Sequence, residues 1–263
     1  MITVEPKFYL IGSPNDTGEM ITFLEENDIQ WRLDPNISWA ENVFEFAGRL
    51  CYASWKKEDG EFENLNLKGI RTGNAIYLKN IIESKHGSVF EHGGLILLFT
   101  NVSRVFTHEL VRHRAGCAYS QTSGRFVRNA VNGIKIWFPD ILVNNSSAMR
   151  AIRKAINSLE DATWELEKVF KQQLEEGSFE EKKELTSAFR RILPQGIANN
   201  ILMSTNHRAL RNIIEQRTSP VAEIEIRTLM RQVARRMKKD FPGIYQDMEQ
   251  DNNGAYIFGS KKI

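Results

Sequence analysis

Arg112-His113-Arg114-Ala115-Gly116-Cys117-Ala118-Tyr119-Ser120-Gln121-Thr122-Ser123-Gly124-Arg125 sets three cationic or potentially cationic side chains in a row, then a small, hydroxyl-rich run closing on Ser-Gly-Arg. Arginine's planar fork makes bidentate, charge-assisted hydrogen bonds to phosphates and carboxylates. The following hydroxyls, the close backbone approach that glycine permits and one more guanidinium strengthen an anion-binding reading. Just upstream, Ser103 stands where an N-cap belongs, ahead of Val105, Phe106, Leu110 and Val111. That spacing predicts a helix over 103–114 with Arg112, His113 and Arg114 at its C-terminal end. Neighbouring helical residues point about 100° apart, so the three would grip different parts of an extended ligand, or two ligands. The plainer alternative is favourable cation placement at a helix C-terminus.

Working outward, residues 94–102 are apolar and β-rich, which predicts a strand buried on both faces. Residues 8–12 read as a short strand ending at a turn. Helical spacing appears over 39–55 (Val43, Phe44, Ala47, Leu50, Cys51) and again over 75–84, with a charged loop at 57–73 between them. Residues 115–134 show no clear period, and 134–138 read as a short strand. A long amphipathic helix is expected over 147–174, broken by Gly177, and another over 179–193, stopped by Pro194. A strand over 201–204 and helices over 208–216 and 220–241 follow, the last with proline in its first turn. No linker or repeat interrupts the pattern. The expectation is one helix-rich α+β domain over 1–263.

Composition bounds the function. At 41% hydrophobic and 26% charged, the 263 residues are those of an ordinary soluble globular protein. Lys plus Arg (35) nearly balances Asp plus Glu (33), so any basic site must be local and a nucleic-acid partner is not expected. Cys51 and Cys117 form no CxxC pair, which favours a reducing compartment. The N-terminal residues lack a secretory pattern, and apolar runs such as 95–99 are too short for a bilayer. A cytoplasmic protein with no membrane partner is expected.

Two further clusters are chemically suggestive. Asn206-His207-Arg208, Asn212 and Arg217 put an amide and a guanidinium one helical turn apart, which suits the polar edge of a heterocycle or, equally, a solvated face. In His86-Gly87-Ser88-Val89-Phe90-Glu91-His92 the spacing is not HExxH, so no metal is expected; a ligand-contacting turn or a structural cap is. Ser120 and Ser123 lie outside a GxSxG elbow. Cys117 lies close to His113 and two arginines, which would lower a thiol pKa, or is a small buried filler. No GxGxxG or GxxxxGK[ST] motif occurs, so neither a Rossmann fingerprint nor a P-loop accounts for phosphate binding.

Together these pieces resemble the flavin-dependent thymidylate synthase family. The carriers are Arg-His-Arg separated by eight residues from Ser123, 46–52, 86–92, Ser103-Arg104 leading to Thr107-His108-Glu109-Leu110, 190–194, Asn206 to Arg208 and 217–227, in order across most of 40–240. Asn199-Asn200 and Val221 depart from the family's usual residues. The resemblance implies a central, mainly antiparallel sheet and reductive methylation of dUMP to dTMP. FAD would be the redox cofactor, methylenetetrahydrofolate the carbon donor and NADPH the reductant. It implies FAD contacts at Ser88, Arg112, His113, Arg114, Gln121, Asn206, Arg208 and Asn212, with His86 close by. It implies dUMP contacts at Glu109, Arg112, Gln121, Thr122, Ser123, Gly124, Arg125 and Arg190. Arg217 would be the catalytic group that activates the pyrimidine, while Ser123 holds substrate rather than attacking it. A homotetramer with active sites between subunits is implied too. The alternatives are a methylase of UMP or another pyrimidine nucleotide, and a non-catalytic nucleotide-binding homologue.

Overall fold

The computed structural model describes residues 1–126 and 133–260. Its strands are β1 (Ile2–Thr3), β2 (Lys7–Gly12), β3 (Gly94–Ser103), β4 (Cys117–Gln121), β5 (Lys135–Ile136), β6 (Ala198–Asn206), β7 (Met248–Gln250) and β8 (Tyr256–Phe258). The helices are α1 (Glu19–Glu26), α2 (Trp39–Tyr52), α3 (Asn74–Glu83), α4 (Arg104–Leu110), α5 (Asp140–Val143), α6 (Ser146–Val169), α7 (Lys171–Glu176), α8 (Phe179–Phe189), α9 (His207–Thr218) and α10 (Ile224–Asp240). A four-stranded antiparallel sheet of order β2-β3-β6-β4 forms the centre, in keeping with the antiparallel expectation. None of the helices described is long and apolar enough to cross a membrane.

The core lies on one face of this sheet. Leu95, Leu97, Phe99, Ile201 and Met203 point inward, against Phe106 and Leu110 of α4, Leu210 and Ile214 of α9, and Leu229, Met230 and Val233 of α10. The opposite face of β3 is partly open, with Ile96 37% exposed. The strand expected to be buried on both faces is therefore covered on one, because the sheet is antiparallel and its helices pack on a single side.

Two neighbouring strands each run straight into a capped helix. Ser103 closes β3 and its hydroxyl accepts from the Phe106 amide at 3.0 Å, starting α4. Asn206 closes β6 and its side chain accepts from the Ala209 amide at 2.8 Å, starting α9. The antiparallel register pairs Ser103 with Ala198 and Gly94 with Asn206, so the two helices start at opposite ends of the strand pair. Glu225 of α10 braces the first cap, accepting from the Ser103 amide at 2.8 Å and from its hydroxyl.

Several expectations change. The helix predicted over 103–114 ends at Leu110, so Arg112, His113 and Arg114 occupy a turn beyond it. The Tyr119 hydroxyl donates to the Leu110 carbonyl at 3.0 Å and the His113 carbonyl at 2.6 Å, which folds the chain back before a further helical turn can form. Gly116 completes the reversal at φ 69°, where a Cβ would stand 2.6 Å from the Asn206 amide nitrogen. The aperiodic 115–134 contains β4; residues 127–132 of that span lie outside the described residues. Its alternation was hard to read because its inward residues are only half-buried. The long helix over 147–174 is α6 and α7, meeting at Phe170. Residues 179–193 become α8 and a 3-10 turn, Arg190–Ile192. The strand at 201–204 extends to Ala198–Asn206. Pro220 precedes its helix instead of opening it, since Glu223 caps α10 through the Glu225 and Ile226 amides.

His207, the first residue of α9, is wholly buried, its ring 5.5 Å from Phe44 and 4.8 Å from Phe241, with Nδ1 3.1 Å from the Tyr245 hydroxyl. Burial, and then the charge of Arg211, pushes its pKa down to about 3. An unfolded chain binds this proton below its ordinary pKa of about 6.5, whereas the folded chain refuses it until far lower pH. Acidification through this window therefore costs stability. In urea unfolding, the stability advantage of wild type over His207→Gln is expected to be about 2 kcal/mol smaller at pH 5 than at pH 7. A difference independent of pH would contradict this assignment.

Candidate active site

A cavity of about 900 Å³ opens where the Arg112-His113-Arg114 turn meets the first turns of α9. Arg112, His113 and Arg114 form one wall, and Asn206, Arg208 and Asn212 form the facing one. The sequence separated these two groups by about ninety positions; the β4–β6 pairing brings them together, with the Asn206 amide donating to the Gly116 carbonyl at 3.3 Å. The N-terminus of α9 contributes the positive end of its dipole to this wall. Among the described residues, Arg112 and Arg114 have no hydrogen bond or ion pair from their side chains. Glu91, on the same wall, pairs with Arg208 at 2.5 Å.

His86 and Ser88 lie next to this cavity but do not line it; their neighbours Lys85 and Glu91 do. His86 stacks on Tyr52 with ring centroids 5.5 Å apart, and Ser88 is exposed on the 3-10 turn Gly87–Glu91.

Arg217, near the C-terminal end of α9, is held in a three-way clamp. Its Nε donates to His113 Nε2 at 2.8 Å, its Nη1 pairs with the Glu109 carboxylate, and its Nη2 donates to the Glu109 carbonyl at 3.1 Å. An arginine has only donors, so His113 Nε2 must accept and be unprotonated. Burial, and then the positive charge of Arg217, push His113 down to about 4, which keeps the ring neutral at physiological pH. Burial also pushes the Tyr119 hydroxyl up, so it remains a donor to the His113 carbonyl.

The Gln121 to Arg125 run leads away from this clamp. Gln121 donates to the Thr107 hydroxyl at 3.0 Å, on the core side of the sheet and not in the large cavity. Thr122 donates its amide to Asn200 at 3.0 Å and offers its carbonyl to Arg104 at 3.3 Å. The Ser123 hydroxyl accepts from the Arg125 amide at 3.3 Å. Gly124 and Arg190 line a second cavity of about 320 Å³, while Arg125 borders a shallower cleft beside Lys183 and Arg191. Cys117 packs against the core with its thiol 3.3 Å from the Thr205 hydroxyl, as a filler does.

Two residues of the second cavity were not anticipated. Arg104 and Arg191 join Arg190 there, and no carboxylate lines it. Burial, and then the facing charge of Arg190, push the Arg104 pKa down. A readable signal existed: Arg104 opens α4, the end of a helix where a cation is unfavourable. Glu91 falls in the 86–92 turn singled out from the sequence, whereas Lys85 on the large cavity carried no such mark.

Comparisons with known proteins fit this geometry. The family described as "Thymidylate synthase complementing protein" matches residues 36–243. A flavin-dependent thymidylate synthase of Mycobacteroides abscessus is 32% identical over 229 residues, covering 86% of each chain. One of Corynebacterium glutamicum is 30% identical over 230 residues, covering 87% of this chain and 86% of that protein. Among solved structures, a UMP/dUMP methylase PolB from Streptomyces cacaoi bound with 5-Br dUMP superimposes with a TM-score of 0.61 over 94% of this chain and 96% of that one, at 15% identity, a likeness of fold. With its family match and its relatives spanning most of its length, this chain belongs to the flavin-dependent thymidylate synthase family of enzymes.

Proposed function

We propose that this protein methylates dUMP to dTMP, with FAD as its bound cofactor, methylenetetrahydrofolate as carbon donor and NADPH as reductant. The observation that carries the reading is the second cavity. Three guanidiniums, Arg104, Arg190 and Arg191, surround it beside Gly124 with no carboxylate among its lining residues. Uncompensated like charges at close quarters are costly, and a phosphate dianion relieves them. The run Gln121 to Arg125 reaches this cavity at Gly124 and bonds α4 at Gln121, so its residues are the ones assigned to the rest of the same nucleotide.

The large cavity fits a dinucleotide cofactor. Its volume is within the range of ligand pockets, roughly 300–1,000 Å³. Its walls offer the unpaired Arg112 and Arg114, the N-terminus of α9, and the polar side chains of Asn206 and Asn212. Arg112, Arg114, Asn206 and Asn212 would hold FAD there, and the bound flavin would supply the hydride-transfer chemistry that no side chain offers. His86 and Ser88 stand beside the cavity. The family resemblance adds a homotetramer with active sites between subunits to the proposal.

Arg217 is the group assigned to activation. Uracil C5 is a poor nucleophile, and negative charge delocalised over N3 and its flanking carbonyls raises its electron density. A guanidinium beside that edge stabilises the charge as it develops. Glu109 engages this fork and neutral His113 fixes its orientation. The nucleotide edge would share the guanidinium with Glu109, and His113 would hold the Nε side in place.

Purified protein is expected to show flavin absorption in the visible range, or to acquire it with FAD, and to bleach with NADPH. Colourless protein that cannot be reconstituted speaks against the reading. Arg217→Ala is expected to lower kcat/KM for dTMP formation by about 10²–10³ while FAD binding stays near wild type. Near-normal turnover would remove Arg217 from the activation role. Arg190→Ala is expected to weaken dUMP binding about tenfold or more, without changing the affinity for deoxyuridine, which lacks the phosphate. Equal losses for both ligands would place Arg190 away from the phosphate.

A further inference from the structure

Helix α3 ends in a turn that favours glycine and holds lysine. The Lys85 amide donates to the Ile82 carbonyl and the His86 amide to the Ile81 carbonyl, each at 3.1 Å. This pair of bonds closes a helix through a left-handed residue, here Lys85 at φ 61°. Glycine is the usual occupant, because a Cβ in that conformation crowds the following carbonyl. Among the described residues, four non-glycine residues have positive φ: Asp28, Ala53, Lys85 and Asn101. Asp and Asn enter the region readily, whereas Ala and Lys do so only at a cost. Lys85 differs from Ala53 in lining the large cavity, beside Arg112, Arg114 and the first turns of α9. Among the described residues its ammonium has no hydrogen bond or ion pair, even though Glu91 lies on the same wall and pairs with Arg208. The turn itself would form more readily with glycine, so helix closure does not account for the lysine. Strain retained where a side chain meets a ligand cavity is a mark of function.

We propose that Lys85 is a cofactor-binding residue whose ammonium grips the diphosphate of FAD. The inference rests on the reading of this cavity as the flavin site. The diphosphate is the anionic group of that cofactor at neutral pH, and a lysine ammonium, a compact charge with three donors, suits phosphate oxygens. The left-handed turn directs Lys85 to the cavity and in the next step presents His86.

The test titrates FAD into apoprotein of wild type, Lys85→Gly and Lys85→Met, followed by the change in flavin absorbance, with the melting temperature of each apoprotein recorded. Lys85→Gly removes charge and backbone strain together; Lys85→Met removes the charge alone. Both variants are expected to raise the FAD Kd about tenfold. Apoprotein Lys85→Gly is expected to melt at or above the wild-type temperature, so that affinity and stability move apart. An FAD Kd within about twofold of wild type in both variants overturns the proposal. A loss confined to Lys85→Gly overturns it too, because the backbone and not the ammonium would then be responsible. A raised KM for NADPH with unchanged FAD affinity gives Lys85 to the reductant and overturns it as well. Wild-type protein that binds no FAD overturns the flavin reading of the cavity and this proposal together.

Discussion

The pairing of β3 with β6 is the constraint on which the site depends. Its register sets Ser103 beside Ala198 and Gly94 beside Asn206. Each strand thus hands its chain to a capped helix at a defined height on the sheet. α4 and α9 then run back across the same apolar face, where Leu110 and Ile214 are buried in one core. Their C-terminal ends meet where Glu109 and His113 clamp Arg217. A one-residue slip in this pairing would turn every inward side chain to the opposite face and separate the clamp.

Charge is distributed unevenly around that scaffold. The buried ion pairs are tightly bonded: Arg49 pairs with Glu45 one turn away on α2, and Arg211 of α9 pairs with Asp247 beyond α10. Arg49 also donates to the Ser54 and Arg71 carbonyls, which ties α2 to the segment that follows it. The cavity arginines are different: among the described residues, Arg104 faces Arg190 with no carboxylate lining their cavity, and Arg112 and Arg114 stand unpaired. The protein as a whole carries a net charge of only +2, so these cations are concentrated locally. Such sites hold positive potential in reserve for an anionic ligand.

Much of the helical framework was legible in the sequence. α2 shows apolar residues at helical spacing behind a Ser38–Glu41 capping box, and α10 has its buried stripe Ile226, Leu229, Met230, Val233 and Met237. Propensity and period are local, and both survive into the folded state. The strands were read less completely. β4 looked aperiodic because even its inward residues are only half-buried, and it becomes a strand through hydrogen bonds to β6 that no local signal announces. The end of α4 was misplaced for a similar reason: Tyr119, nine residues beyond Leu110, captures the carbonyl oxygens that stop it.

The sequence by itself determined the family, the helical scaffold and the residue types of the site, since motif chemistry and amphipathic spacing are written in neighbouring positions. Only the tertiary structure decided which of those residues share a wall. Arg112 to Arg114 face Asn206, Arg208 and Asn212, whereas Gly124 and Arg190 line a separate cavity with Arg104 and Arg191. It also decided the protonation of His113, because a neutral ring follows from burial and from the donor presented by Arg217. Proximity between distant segments and removal from water are products of packing, and neither is encoded at any single position.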